Sequence, residues 1–281
     1  MTAVLMFGVQ FLYNQKFARN NGSDARSALT FQLGCNICGI LTISLAALIQ
    51  NGSLPIHGFG VFTLIMAALS AVNSILFTFC SLRALGRINL SLYSVFSMLG
   101  GMALPFLLGV IFFDEELTRG KIVSVALITA ALALTVRRGK SSGAGCYIGI
   151  FVLNGMSGVI SKLYQSAPYR KADEFGYMLT CAAMSAAISA AALALLRGKG
   201  SRPDRSSLRA MGVCGTLSYT ANLILLIALA HVPASAQYPL VTGGVMAVST
   251  LLACFTQSKP TKREIIPVGL AILGILAMVI V

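Results

Sequence analysis

The sequence predicts an all-α integral membrane protein of about ten transmembrane helices, arranged as two five-helix repeats of opposite topology. Three observations predict it. First, 57% of the 281 residues are hydrophobic and only 10% are charged, against about 25% charged in soluble domains. The mean hydropathy is +0.84, more apolar surface than a soluble fold needs. Second, the apolar residues run continuously for roughly twenty positions at a time, enough to span a bilayer as helix. They do not alternate as barrel strands do. Third, the second half repeats landmarks of the first at a nearly constant offset.

The apolar segments fall at roughly 2–18, 28–49, 59–82, 89–113, 119–136, 144–165, 174–196, 208–230, 234–256 and 264–281. Turn and charge signals separate them, among them Asn20-Asn21-Gly22-Ser23, Gln50-Asn51-Gly52-Ser53 and the stretch Arg197 to Arg209. Together they use about the whole length, so little remains for a soluble domain. Segments 1 and 6 are the most polar, which makes both candidates to line a cavity.

The repeat is read from matched landmarks. Arg83-Ala84-Leu85-Gly86-Arg87-Ile88-Asn89-Leu90-Ser91 corresponds to Ile227-Ala228-Leu229-Ala230-His231-Val232-Pro233-Ala234-Ser235 at an offset of 144. Gly100-Gly101 recurs as Gly243-Gly244, Thr118 as Thr261 and Ile122 as Ile265, all at 143. Lys16 recurs as Lys162 near the ends of segments 1 and 6. The two copies are 1–138 and 139–281. Five is odd, so the second copy enters the bilayer from the opposite side. Inverted repeats of this kind are typical of secondary transporters, with the substrate site at the repeat interface. The expectation is a protein that moves small solutes and does not transform them.

Charge and cysteine usage fit that class. The net charge of +13 would suggest nucleic acid in a soluble protein. Here Lys and Arg sit in short loops, where they orient the chain and meet lipid head groups, so no nucleic-acid partner is expected. The seven cysteines lie in apolar segments, and Cys35-x-x-Cys38 has no nearby His or carboxylate. Packing residues are the reading, not a metal or redox site. No cleavable signal peptide is apparent.

With these features in hand, the chain resembles the drug/metabolite transporter superfamily, specifically its ten-helix EamA-like members. The resemblance rests on Ala84-Leu85-Gly86-Arg87-Ile88-Asn89-Leu90-Ser91 and the segment after it. It rests also on Phe113-Asp114-Glu115-Glu116-Leu117-Thr118, which looks like that family's Glu-x-x-Thr loop before the fifth helix. The second copy departs from the motif, with Ser258 where Glu115 would correspond. The resemblance implies a permease or exporter of amino acids, other metabolites or drugs. It also implies a central cavity lined by segments 1, 3, 4, 6, 8 and 9.

Sixteen of the 21 Lys and Arg lie in or beside the odd-numbered connections, from Arg19 and Arg26 to Lys262 and Arg263. The positive-inside rule places those connections in the cytoplasm and both termini outside. The resemblance implies both termini inside, and the charge count is preferred.

Polar side chains within a span need partners or water. The substrate-binding candidates are Gln10 and Asn14 in segment 1, Asn73 in segment 3, and Tyr93 with Ser97 in segment 4. Asn154, Ser157 and Ser161 follow in segment 6, Asn222 in segment 8, and Tyr238 with Thr242 in segment 9. Tyr93/Ser97 and Tyr238/Thr242 are each four apart, on one helical face. Gln32 and Asn36 in segment 2 and Gln237 in segment 9 are further polar positions. Gly100-Gly101 and Gly243-Gly244, with Pro105 and Pro239, interrupt segments 4 and 9 at corresponding places, another pointer to a binding site. Lys16 and Lys162 are read as snorkelling to the interface.

No Asp or Glu falls in a predicted helix core, which argues against antiport built on a central carboxylate. A neutral, zwitterionic or anionic solute is expected. No cofactor, zinc site or P-loop is indicated. Two other readings stand beside transport of a small-molecule solute. Basic loops suit a flippase for a lipid-linked intermediate. Gly155-Met156-Ser157-Gly158 resembles the nucleophile string of rhomboid intramembrane proteases, but His57 and His231 are the only histidines and neither is deep in a segment. The expected setting is a multi-pass protein of the inner or plasma membrane, surrounded by membrane lipids, monomeric or homodimeric.

Overall fold

The computed structural model describes residues 1–22, 24–54, 60–87, 90–112, 144–196, 203–229 and 234–254, with scattered positions in 119–130 and 266–277. For 91–92, 106–112, 144, 226, 229 and 234–240 it describes the backbone alone. The described residues form helices and connections, with no strand among them. Eight helices are defined: α1 (Thr2–Asn21), α2 (Ala25–Asn51), α3 (Val61–Leu85), α4 (Leu90–Phe112), α5 (Ala144–Ser166), α6 (Glu174–Leu195), α7 (Arg205–Leu229) and α8 (Ala234–Cys254). They coincide with segments 1–4 and 6–9, each helix end falling within about three residues of the apolar run. Segments 5 and 10 lie largely outside the described residues.

Local chemistry sets the ends. Gly52 closes α2 in the left-handed conformation (φ 67°), its N–H donating to Leu48 O at 3.1 Å. A side chain there would be strained, and glycine is the residue that adopts this cap without cost. Asp24 precedes α2 in extended conformation, and the Ser27 hydroxyl donates to its Oδ1 at 2.6 Å. That bond holds the Asp24 carboxyl below the usual carboxylate range. Asp173 caps α6 by accepting from Gly176 N at 2.8 Å.

Among the described residues, four helices are long and apolar enough to cross a membrane: Ala25–Asn51, Val61–Leu85, Gly145–Ser166 and Glu174–Leu195. The run Gln10, Asn14, Gln15, Lys16 keeps α1 below that level. The helices are turned inside out relative to a soluble bundle. α2 buries Gln32 and Asn36 (1% exposed) while Ile37, Leu41 (66% exposed), Leu45 and Ile49 form an exposed stripe. α3 likewise buries Asn73, Thr78 and Ser81 and exposes Val61, Ile65, Leu69, Val72 and Leu76. In water such stripes would cost about 25 cal/mol per Å² of apolar surface left wet. Lipid removes that cost, so the pattern belongs to a membrane-embedded protein.

The helices pack as a ring in which elements of the two halves alternate. In order around the ring they are α1, α8, α4, α5, α3, α6, α2 and α7, which returns to α1. Exchanging α1 with α5, α2 with α6, α3 with α7 and α4 with α8 maps every neighbour in this ring onto another neighbour. Glycines allow the closest approaches. A Cβ at Gly100 of α4 would stand 2.0 Å from the Phe151 carbonyl oxygen of α5, and one at Gly155 of α5 would stand 2.3 Å from Leu104 of α4. The glycines and Pro105 of α4 thus serve the α4–α5 contact, as small residues commonly do between membrane helices.

Candidate functional site

The ring encloses a cavity of about 700 Å³. All eight helices contribute to it, so α2 and α6 (segments 2 and 7) join the six segments expected from the resemblance. The cavity reaches the end of the bundle that carries the α5–α6 connection, where Lys171, Ala172 and Glu174 line it. Toward the opposite end it stops at Asn14, Phe31, Leu82 and Cys214. Beyond these the chain is packed apolar core, with Phe17, Ala18, Ala28 and Leu85 buried and the Phe17 and Phe31 rings 4.5 Å apart. Among the described residues, one end is a mouth and the other is closed.

The mouth has a built rim. Lys171 Nζ donates to Tyr164 O at 3.0 Å and also to Gln165 O, and it sits 5.6 Å from the Tyr164 ring centroid. It thereby satisfies terminal carbonyls of α5, where the helix dipole favours a cation. The Tyr164 and Tyr177 rings stack at 3.8 Å between centroids, and the Tyr164 hydroxyl donates to Ala172 O at 2.8 Å. Lys171 and Glu174 are the only charged side chains among the described lining residues. Below the rim the wall is amide, hydroxyl, aromatic and aliphatic.

A buried polar network joins four helices at mid-depth. Gln32 Nε2 donates to Ser74 Oγ (2.8 Å) and Ser185 Oγ (3.1 Å), and Thr78 Oγ1 donates to Gln32 Oε1. Asn36 Nδ2 donates to Ser185 Oγ at 2.7 Å, and Tyr219 OH donates to Asn36 Oδ1 at 2.8 Å. The network ties α2 to α3, α6 and α7. Gly39 makes room for it, because a Cβ there would lie 2.1 Å from Tyr219 Cε2.

Most of the sequence-derived candidates line the cavity: Gln10, Asn14, Ser97, Asn154, Ser157, Ser161, Asn222 and Thr242. Asn154 Nδ2 donates to the Ser97 carbonyl, and Asn222 Nδ2 donates to Ser218 O in its own helix. Two candidates belong elsewhere. Asn73 turns its amide to α5, donating to Leu153 O (2.9 Å) and Ser157 Oγ (2.7 Å), and it holds helices together instead of lining the cavity. Tyr93 is fully buried behind the wall, with its hydroxyl on Ser81 Oγ at 3.0 Å and its ring edge-on to Phe11. Its bulk in a mostly apolar cluster explains the placement. The side chains of Gln237 and Tyr238, and His57 and His231, lie outside the described residues. Lys16 and Lys162 do not line the cavity. The residues that sequence reasoning passed over are Ser74, Thr78, Ser185 and Tyr219. Serine and threonine are common in any membrane helix, and only the Gln32 and Asn36 amides signalled that partners were needed.

Two sets of lining residues stand 144 positions apart. Ser70, Ser74, Thr78 and Ser81 of α3 all line the cavity, and so do Cys214, Ser218, Asn222 and Leu225 of α7, each 144 positions later.

Comparison with known proteins gives the fold and little else. No protein-family model matches the sequence, and no curated protein matches it significantly. The chain is similar to a solved protein crystal structure with a TM-score of 0.64 and 17% sequence identity, covering 98% of this chain and 93% of that one. At that identity the likeness establishes a shared fold over almost the whole length of both chains, and nothing about activity.

Proposed function

We propose that this chain is a multi-pass transporter of a small polar metabolite of about amino-acid size. On this reading it works by alternating access between two inverted five-helix halves, as an EamA-like member of the drug/metabolite transporter superfamily. The observation that carries the proposal is the cavity: amides and hydroxyls set among aromatic and aliphatic side chains, inside an apolar exterior, open at one end among the described residues and walled by both halves. A structural bundle has no use for a hollow of this size lined with amides and hydroxyls, whereas small-molecule sites commonly run to about 300–1,000 Å³.

The interchange of halves in the helix ring and the 144-residue register of α3 and α7 support the repeat. Two halves with the same packing pattern can swap which end is closed, which is the physical basis of alternating access. The closed end carries the α1–α2, α3–α4 and α6–α7 connections, the basic ones, so the positive-inside rule makes the mouth extracytoplasmic. The lining described holds no carboxylate below the rim, which suits facilitated or weakly coupled movement of a solute without net positive charge. A flippase needs a lateral opening for its lipid tail, and the unbroken ring of packed neighbours among the described residues favours the soluble substrate. A serine-protease role is disfavoured because the Ser157 hydroxyl accepts from Asn73 and donates to Leu153 O at 3.2 Å.

Thermal unfolding of the purified protein against amino acids, nucleosides, sugars, polyamines and organic acids tests the reading. A ligand at about a hundred times its Kd stabilises the fold by roughly 2.7 kcal/mol. One solute class is expected to raise Tm, and Asn154→Leu or Thr242→Val is expected to reduce that shift. A flat response across all classes would remove the support for a solute carrier.

A further inference from the structure

Below the rim, the side-chain amides around the cavity divide into two groups. Gln32, Asn36, Asn73, Asn154 and Asn222 are all engaged by protein partners, as described above. Gln10 Oε1 and Asn14 Oδ1, in contrast, are enclosed and have no hydrogen-bond partner among the described residues. Asn14 is only 7% exposed, and both side chains line the cavity. A buried amide oxygen without a partner forfeits the water bonds it had before folding, which is costly unless something else fills the role. The terminal torsion of each amide is soft, so rotation can present either its carbonyl or its NH₂ end to the cavity.

Their neighbours narrow the chemistry. Phe7, Gln10, Phe11 and Asn14 follow the i, i+3, i+4, i+7 spacing of one helical face, and all four line the cavity. That face offers two donor–acceptor groups interleaved with two aromatic rings. Among the described lining residues no charge lies near it, since Lys171 and Glu174 sit at the rim. A zwitterionic amino acid would have to bring an ammonium and a carboxylate into this neutral interior without a counter-charge, at high desolvation cost. A flat, uncharged heterocycle with adjacent donors and acceptors on its edge meets every feature. Gln and Asn amides pair with such edges in bidentate fashion, and aromatic rings take the faces.

We infer that the Phe7–Gln10–Phe11–Asn14 face of α1 is a recognition subsite for a neutral nucleobase-type solute, either the free base or its nucleoside. This rests on the transporter reading and sharpens its substrate class. Binding of uracil, uridine, adenine and adenosine to the purified full chain tests it, with leucine, glutamine, spermidine and citrate as contrasts. Wild type is compared with Gln10→Met and Asn14→Leu, which keep the volume and remove the polarity. At least one base or nucleoside is expected to bind and raise Tm, and each variant is expected to weaken its Kd by about tenfold. The unliganded Tm of each variant is expected to stay level or rise, since each loses only an unpaired group. Base against nucleoside affinity tells the two sources apart. Binding of an amino acid, polyamine or citrate without any base or nucleoside would overturn the inference and leave the transporter reading standing. Base or nucleoside binding undiminished in both variants would overturn the subsite. Binding of none of the eight compounds would overturn the inference, and the broader panel would then decide the transporter reading separately.

Discussion

Gly100→Ala is expected to cost the folded protein about 3 kcal/mol, among the largest effects of any single methyl group in this chain. The added Cβ would meet the Phe151 oxygen at 2.0 Å and its carbonyl carbon and Cα at 2.7 Å. These are backbone atoms inside a helix, so they cannot rotate away as the tip of a side chain would. The α4–α5 pair must separate, and Asn154 then loses the Ser97 carbonyl it donates to. The readout is thermal unfolding in detergent, together with the fraction recovered as a single folded species. Gly212→Ala is the control, because a Cβ there has nothing within 4 Å. It is expected to be neutral or stabilising by up to about 1 kcal/mol, the usual gain of alanine over glycine in a helix. Equal tolerance of both substitutions would show that α4 and α5 do not approach as closely as described.

The second large effect is expected at Asn36. Asn36→Leu preserves volume but deletes the bonds to Ser185 and Tyr219 and leaves those two groups without that partner. Interhelical hydrogen bonds in membrane proteins contribute about 0.6 kcal/mol on average and up to about 1.7 kcal/mol. Losing this hub is therefore expected to cost about 2 kcal/mol, seen as a lower Tm. The same change at Asn222, whose side chain bonds within its own helix among the described residues, is expected to shift stability by no more than about 0.5 kcal/mol. The two asparagines are chemically identical and both line the cavity, so the contrast isolates the network from the residue type. A similar Tm for both variants would mean that the four-helix network contributes nothing to stability.

These two sites show what was and was not legible in the sequence. The eight described helices were readable almost to their ends, because an apolar run long enough to cross lipid is itself the signal. The polar positions on α1, α5 and α7 were readable as cavity candidates for the same reason: a Gln or Asn in a span must face something. What each one faces was not readable. Asn73 and Asn154 look alike in sequence, yet one braces α5 from outside the cavity wall and the other lines it. Tyr93 sits four residues before Ser97 on one helical face, but the neighbouring Phe11 and Ser81 bury it. Gln32 and Asn36 were seen as polar, while their joint hub with Ser185 and Tyr219 depends on which helices the ring makes neighbours. Helical spacing fixes the face of a residue, and the order of helices around the ring decides what that face meets.

The most direct measurement of the central claim is two-sided access to the cavity. Ser161 lines it, and Ser161→Cys in a chain whose seven cysteines are replaced gives a single reporter thiol. A membrane-impermeant thiol reagent is applied to either face of reconstituted vesicles of known orientation. The account predicts fast labelling from the face opposite the basic connections, where the mouth opens. It also predicts slower labelling from the basic face as the halves exchange, with protection at both faces by whichever solute raises Tm. Labelling from neither face, or from the basic face alone, would contradict it.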